Sequence, residues 1–108
     1  MCAQRLILWF SALLISLHGD AALAGAESDY NQTCAACHSL GVAGAPRIGD
    51  TDAWKDRIAR GNEVLFKNAI NGYTGEYGVM PPNGVFNELS DDQVKAIVIY
   101  MVSRSSEE

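Results

Sequence analysis

Five consecutive residues, Cys34-Ala35-Ala36-Cys37-His38, constrain this chain more than any other stretch. Two thiols three positions apart at a helix end reach the two vinyl groups on one edge of a porphyrin, and the following histidine then lies beneath the ring. The pattern reads as the attachment site of one c-type haem, with His38 as the proximal iron ligand. Three other uses of the pattern compete. A zinc site needs three or four ligands with matched spacing, and the only other Cys and His are Cys2 and His18, both near the N-terminus. A thioredoxin-like dithiol needs a βαβ setting, and the flanking residues supply no strands. A structural disulfide between residues this close would shut a very small loop and stabilise little.

The N-terminus places the motif in a compartment. Arg5, an apolar run from Leu6 to Leu17, a polar break at His18-Gly19-Asp20 and Ala22-Leu23-Ala24 have the order of a secretory signal peptide over residues 1–24. The apolar run is shorter than the roughly 20 residues that span a bilayer. An uncleaved anchor is the competing reading, and Ala26 is a second position for the cut. Covalent haem attachment fits export, so a periplasmic product is expected. Removal of the leader leaves one small domain, residues 25–104, and a tail, 105–108, expected to be disordered. A domain of this size has a thin core and needs a staple, which a buried, doubly tethered haem would be. The whole chain of 108 residues has 8 Lys and Arg against 13 Asp and Glu, net −5. That balance argues against nucleic acid, whose binding rests on basic side chains at phosphates.

Helical patterns fill most of the rest. Ala26 to Cys37 reads as a first helix running into the haem motif, with Tyr30 four residues before Cys34 and on the same face. Residues 39–50, with Gly41, Gly44, Gly49 and Pro46, read as a loop along one side of the ring. A proximal histidine commonly gives its Nδ1 proton to a carbonyl, and that of Pro46 or a neighbour is the candidate acceptor; the competing reading has Pro46 only shaping a turn. Asp50-Thr51-Asp52 caps a helix from Asp52 to Arg60, on which Trp54 and Ile58 face inward. Trp54 Nε1 and the Arg57 guanidinium are donors suited to the haem propionates. The competing reading has Trp54 in the core with a backbone acceptor and Arg57 at the surface. A third helix, Glu63 to Asn71, carries Leu65, Phe66, Ala69 and Ile70 as an apolar stripe.

Residues 72–87 form a second irregular stretch around Met80-Pro81-Pro82. The two prolines stiffen the loop, and a thioether there is placed to reach the iron opposite His38. The other methionines, Met1 and Met101, sit in the leader and inside a helix. Ser90 to Gln93 reads as a capping box opening a last helix to about Ser103, with Val94, Ile97, Val98 and Met101 at helical spacing. That helix is expected to cross the first near Tyr30, with Ile97 and Tyr100 at the contact. No strand is expected.

Taken together, Tyr30 ahead of Cys34-Ala35-Ala36-Cys37-His38, the Gly41 to Pro46 loop, Trp54 with Arg57, Met80-Pro81-Pro82 and the final helix from Leu89 resemble the class I c-type cytochromes. Within them the chain is similar to the short bacterial c5-like group. The resemblance implies an all-α cytochrome c fold of four or so helices around one haem, with N- and C-terminal helices crossing. It also implies His38 and Met80 as axial ligands and one-electron transfer between membrane or periplasmic redox partners, among them a membrane-bound oxidase or reductase. With both axial positions filled by protein, no site is left for substrate and no enzyme is expected. Docking is expected at the thioether edge, on the apolar rims Gly41 to Ala45 and the Met80 loop. One departure stands out: c5-like proteins carry a further Cys pair after Met-Pro, and Asn83 to Glu88 has none, so that loop must be held in another way.

Overall fold

The last helix organises the molecule. In the computed structural model, which describes residues 18–107, it runs as α5 from Asp91 to Ser105 and turns apolar residues in two directions. Its start is the capping box: Ser90 Oγ accepts from Gln93 N–H at 3.1 Å, and Gln93 Oε1 accepts from Ser90 N–H at 2.9 Å. Two of the orphan donors of the first turn are thereby satisfied, and Asp91 and Asp92 complement the positive end of the helix dipole.

On one side Ile97, Tyr100 and Met101 pack with Ala26, Tyr30 and Trp54. Ile97 is 1% exposed. Tyr30 and Tyr100 meet with ring centroids 5.5 Å apart and planes tilted by 51°, an arrangement that aromatic quadrupoles favour. This is the expected crossing of the first and last helices. On the other side Val94 and Val98 pack with Ala69, and Leu65, Phe66, Ile70 and Met80 lie against that cluster. Among the described residues the fold is all-α in character, with five α-helices and one very small hairpin.

The first helix, α1, runs from His18 to Gln32 rather than from Ala26 to Cys37. Thr33 ends it: its hydroxyl donates to Asp29 O four residues back at 2.6 Å, competing with the backbone ladder. The chain restarts as a single turn, α2, from Ala35 to His38, with Cys34 at its N-cap. Gly41, at φ +79°, terminates this segment, and its N–H donates to Cys37 O at 2.9 Å. Helix α3 spans Thr51–Ala59, with the Asp50 side chain accepting from Ala53 N–H. Helix α4 spans Asn62–Asn71 and stops at Gly72, φ +85°.

A hairpin follows where no strand was expected. β1 (Tyr73–Thr74) pairs antiparallel with β2 (Val79–Met80), with Tyr73 opposite Met80. Strands of two residues leave no alternating pattern to read. The tail also differs from expectation at its first residue. Ser105 closes α5 at 1% exposure, and its Oγ accepts from Gly49 N–H at 2.9 Å. No helix of the described residues is long and apolar enough to cross a membrane. Of the leader expected over residues 1–24, residues 1–17 lie outside the described residues, as does Glu108.

Candidate haem site

The break at Thr33 decides how the motif is presented. Because α1 ends at Gln32, two residues before Cys34, the two cysteines and His38 ride on a separate turn whose backbone is closed by His38 N–H to Cys34 O at 3.0 Å. Cys34 is half-buried and Cys37 is exposed. Burial pushes the Cys34 thiol above its ordinary 9.0, opposed by the hydroxyl of Thr33, 3.4 Å from the sulfur. Thr33 was not among the residues singled out from the sequence. A hydroxyl side chain directly ahead of the first cysteine, at a helix end, was the available sign.

His38 is 8% exposed and held on two sides by one loop. Its Nδ1 donates to Pro46 O at 2.8 Å, and its own carbonyl accepts from Ile48 N–H at 2.9 Å. Since a carbonyl only accepts, the proton sits on Nδ1 and the lone pair on Nε2. Burial pushes the imidazole below its ordinary 6.5; the Arg57 charge pushes the same way and the Pro46 bond opposes. A neutral imidazole with Nε2 free is the form that binds a metal.

Trp54 lies over this loop, its ring centroid 6.3 Å from that of His38. Its Nε1 donates to Arg47 O at 2.8 Å. That indole donor thus meets a backbone carbonyl, the partner of the competing reading. What Trp54 does is pin the residue between Pro46 and Ile48. The Arg47 carbonyl was missed, since no side-chain pattern marks a backbone acceptor. Arg57 donates through Nη1 to Ala53 O on its own helix, and its charge reaches His38.

Met80 is half-buried on β2 and packs against the second cluster, while His38 and Cys34 belong with the first. The two candidate iron ligands thus come from different sides of the core. The loops that follow His38 and flank Met80 in sequence turn out large apolar side chains, Leu40, Val42, Tyr77, Val79 and Val85, each at least 48% exposed. A domain this small does not cover them with its own residues. Two thiols, an oriented imidazole, a thioether and an apolar surround form a donor set that fits a covalently bound porphyrin.

The comparisons agree with that chemistry. Residues 21–101 match the family model described as cytochrome c oxidase, cbb3-type, subunit III. The chain belongs to this family. Within it the sequence is a short class I c-type cytochrome similar to c5. It is 44% identical over 96 residues to cytochrome c-555 of Chlorobaculum tepidum, covering 88% of this chain and 89% of that protein. It is 42% identical over 67 residues to cytochrome c5 of Ectopseudomonas mendocina, covering 60% and 72%. Its fold is similar to that of a chain in the crystal structure of an electron transfer complex of nitrite reductase with cytochrome c. That match has a TM-score of 0.67 and 32% identity, covering 75% of this chain and 94% of the other. A mono-heme ferrocytochrome c from Shewanella putrefaciens gives 0.60 and 38%, with the same coverage. The cofactor of this cytochrome is one covalent haem c, and its role is electron transfer; Cys34 and Cys37 have the spacing that attaches the haem.

Proposed function

We propose that this cytochrome is an exported one-electron carrier whose iron is held by His38 and Met80 and which docks transiently on redox proteins. The observation that carries the reading is the buried His38 imidazole, aimed by the Pro46 carbonyl at 2.8 Å on the same short turn as Cys34 and Cys37. The bound haem supplies reversible exchange of one electron at iron. Cys34 and Cys37 tether it, and their different exposure leaves the Cys37 side of the ring nearer solvent. The Pro46 carbonyl makes the imidazole more basic, which favours the ferric state, while a thioether opposite and apolar burial favour the ferrous state. Arg57 is the candidate propionate partner, through the guanidinium donors that Ala53 O does not use.

Partners meet the exposed apolar rims at Val42 and at Tyr77, the latter 70% exposed. A small, mostly uncharged contact suits encounters that must also dissociate. The similarity to a cytochrome c found in complex with nitrite reductase supports protein partners of the redox class. Export rests on the leader composition of residues 1–24. Ala22 to Gly25 are exposed whereas Ala26 is core, so a cut after Ala24 keeps the whole first cluster. The name of the matching family favours a second reading, a dedicated subunit of an oxidase, which requires a stable complex in place of a weak encounter.

The visible spectrum and intact mass of the exported protein test this. The expected result is a thioether-linked haem with a ferric sulfur-to-iron charge-transfer band that Met80→Ala abolishes. Rapid binding of carbon monoxide or cyanide by the unmutated protein would instead mark an open iron and a sensor or enzyme.

A further inference from the structure

The loop after His38 and the tip of the Met80 hairpin touch backbone to backbone, and two glycines make that contact possible. A Cβ on Gly44 would overlap the Tyr77 carbonyl oxygen, and a Cβ on Gly78 would overlap that of Ala43 and come within 3.8 Å of Gly44 Cα. The contact is reciprocal: each loop offers a glycine to the other's carbonyl. Gly44 also has φ +79°, a region costly to any side chain.

The hairpin has little else to fix its tip. Its strands are two residues each, its turn is closed by Gly75 N–H to Gly78 O at 2.9 Å, and so short a ladder is marginal alone. Its base is wedged where Gly72 faces Met80 O and Pro82 Cδ, each 3.0 Å from an added Cβ. Met80 thus stands two residues from the latched tip, on an element fixed at both ends. The other loop is tied through Pro46 to His38.

We propose that Gly44 and Gly78 are positioning residues, a backbone latch that joins the two ligand-bearing loops and holds the Met80 thioether toward the iron. This rests on Met80 as the distal ligand. A side chain at either glycine pushes the loops apart and frees Met80 without touching the helices.

The holoprotein carrying Gly44→Ala or Gly78→Ala is compared with Met80→Ala and with Gly61→Ala. Gly61 has φ +93° and nothing within 4 Å of an added Cβ, so it reports backbone strain without steric push. The expected result is a weakened charge-transfer band and imidazole binding to the ferric protein about tenfold tighter in the two latch variants, because the Met-off fraction rises. Gly61→Ala should match the unmutated protein, with helical circular dichroism unchanged throughout. Combining Gly44→Ala with Gly78→Ala should add little, since one contact is opened twice. Latch variants with the band and imidazole affinity of Gly61→Ala overturn the proposal. A wild-type protein without the band, unaffected by Met80→Ala, overturns the ligand reading beneath it. Should the variants not fold, hydrogen exchange on the unmutated holoprotein decides: the amides of Ala43 to Ala45 and Tyr77 to Met80 must open together, and independent opening refutes the latch.

Discussion

Trp54→Phe isolates the link between the indole and the proximal histidine. Trp54 is 5% exposed, and its Nε1 is 2.8 Å from Arg47 O, one residue beyond the carbonyl that accepts from His38 Nδ1. Phenylalanine keeps an aromatic ring but strands a part-buried acceptor, which costs about 1–3 kcal/mol. The smaller ring leaves roughly 40 Å³ unfilled, worth about 1 kcal/mol more. Thermal unfolding followed by circular dichroism should therefore lose about 2–4 kcal/mol, at about 4–8 °C per kcal/mol for a domain of this size. Freed at Arg47, the loop holds the Pro46 carbonyl less firmly against Nδ1, the imidazole becomes less basic, and the ferric state loses preference. If that loss is about 0.5–1 kcal/mol, the midpoint potential rises by about 20–40 mV. A redox titration at fixed pH reads the shift. An unchanged melting temperature would refute the hydrogen bond; a lower melting temperature with an unchanged or lower potential would refute its transmission to His38.

Val85 lies at φ +71°, where a β-branched side chain is strained, and is 67% exposed, so it gives little burial in return. Val85→Gly should therefore stabilise by about 1 kcal/mol in a denaturant titration, and a loss of stability would mean the side chain makes a contact that compensates. Tyr30 is 4% exposed, its hydroxyl has no partner, and burial pushes its phenol above the ordinary 10.0. A raised folded-state pKa gives stability that is complete below the unfolded value and is lost as pH rises through the folded one. Tyr30→Phe keeps the packing on Tyr100 and should be as stable as the parent or more so at neutral pH. Its alkaline loss of stability in thermal melts should be smaller, and an equal loss would assign the effect to another group.

Local chemistry made much of this protein legible in its sequence. The thiol spacing, the histidine after it, the lone methionine before two prolines, and the Ser90 and Gln93 box each act within a few residues. Short-range geometry alone therefore specifies them. Helical spacing of Val94, Ile97, Val98 and Met101 likewise announced the last helix. What the residues could not tell were matters of long-range approach. Thr33 ended the first helix through a hydroxyl to a backbone carbonyl; Trp54 Nε1 met the Arg47 carbonyl; Ser105 became core rather than tail by meeting Gly49. The meeting of Gly44 with Gly78 across more than thirty residues is of the same kind. Backbone acceptors leave no mark in a side-chain pattern, and a glycine looks the same whether it serves a free turn or a contact that admits no Cβ. Only when the helices fix where the loops lie does the chain decide which carbonyl each donor finds.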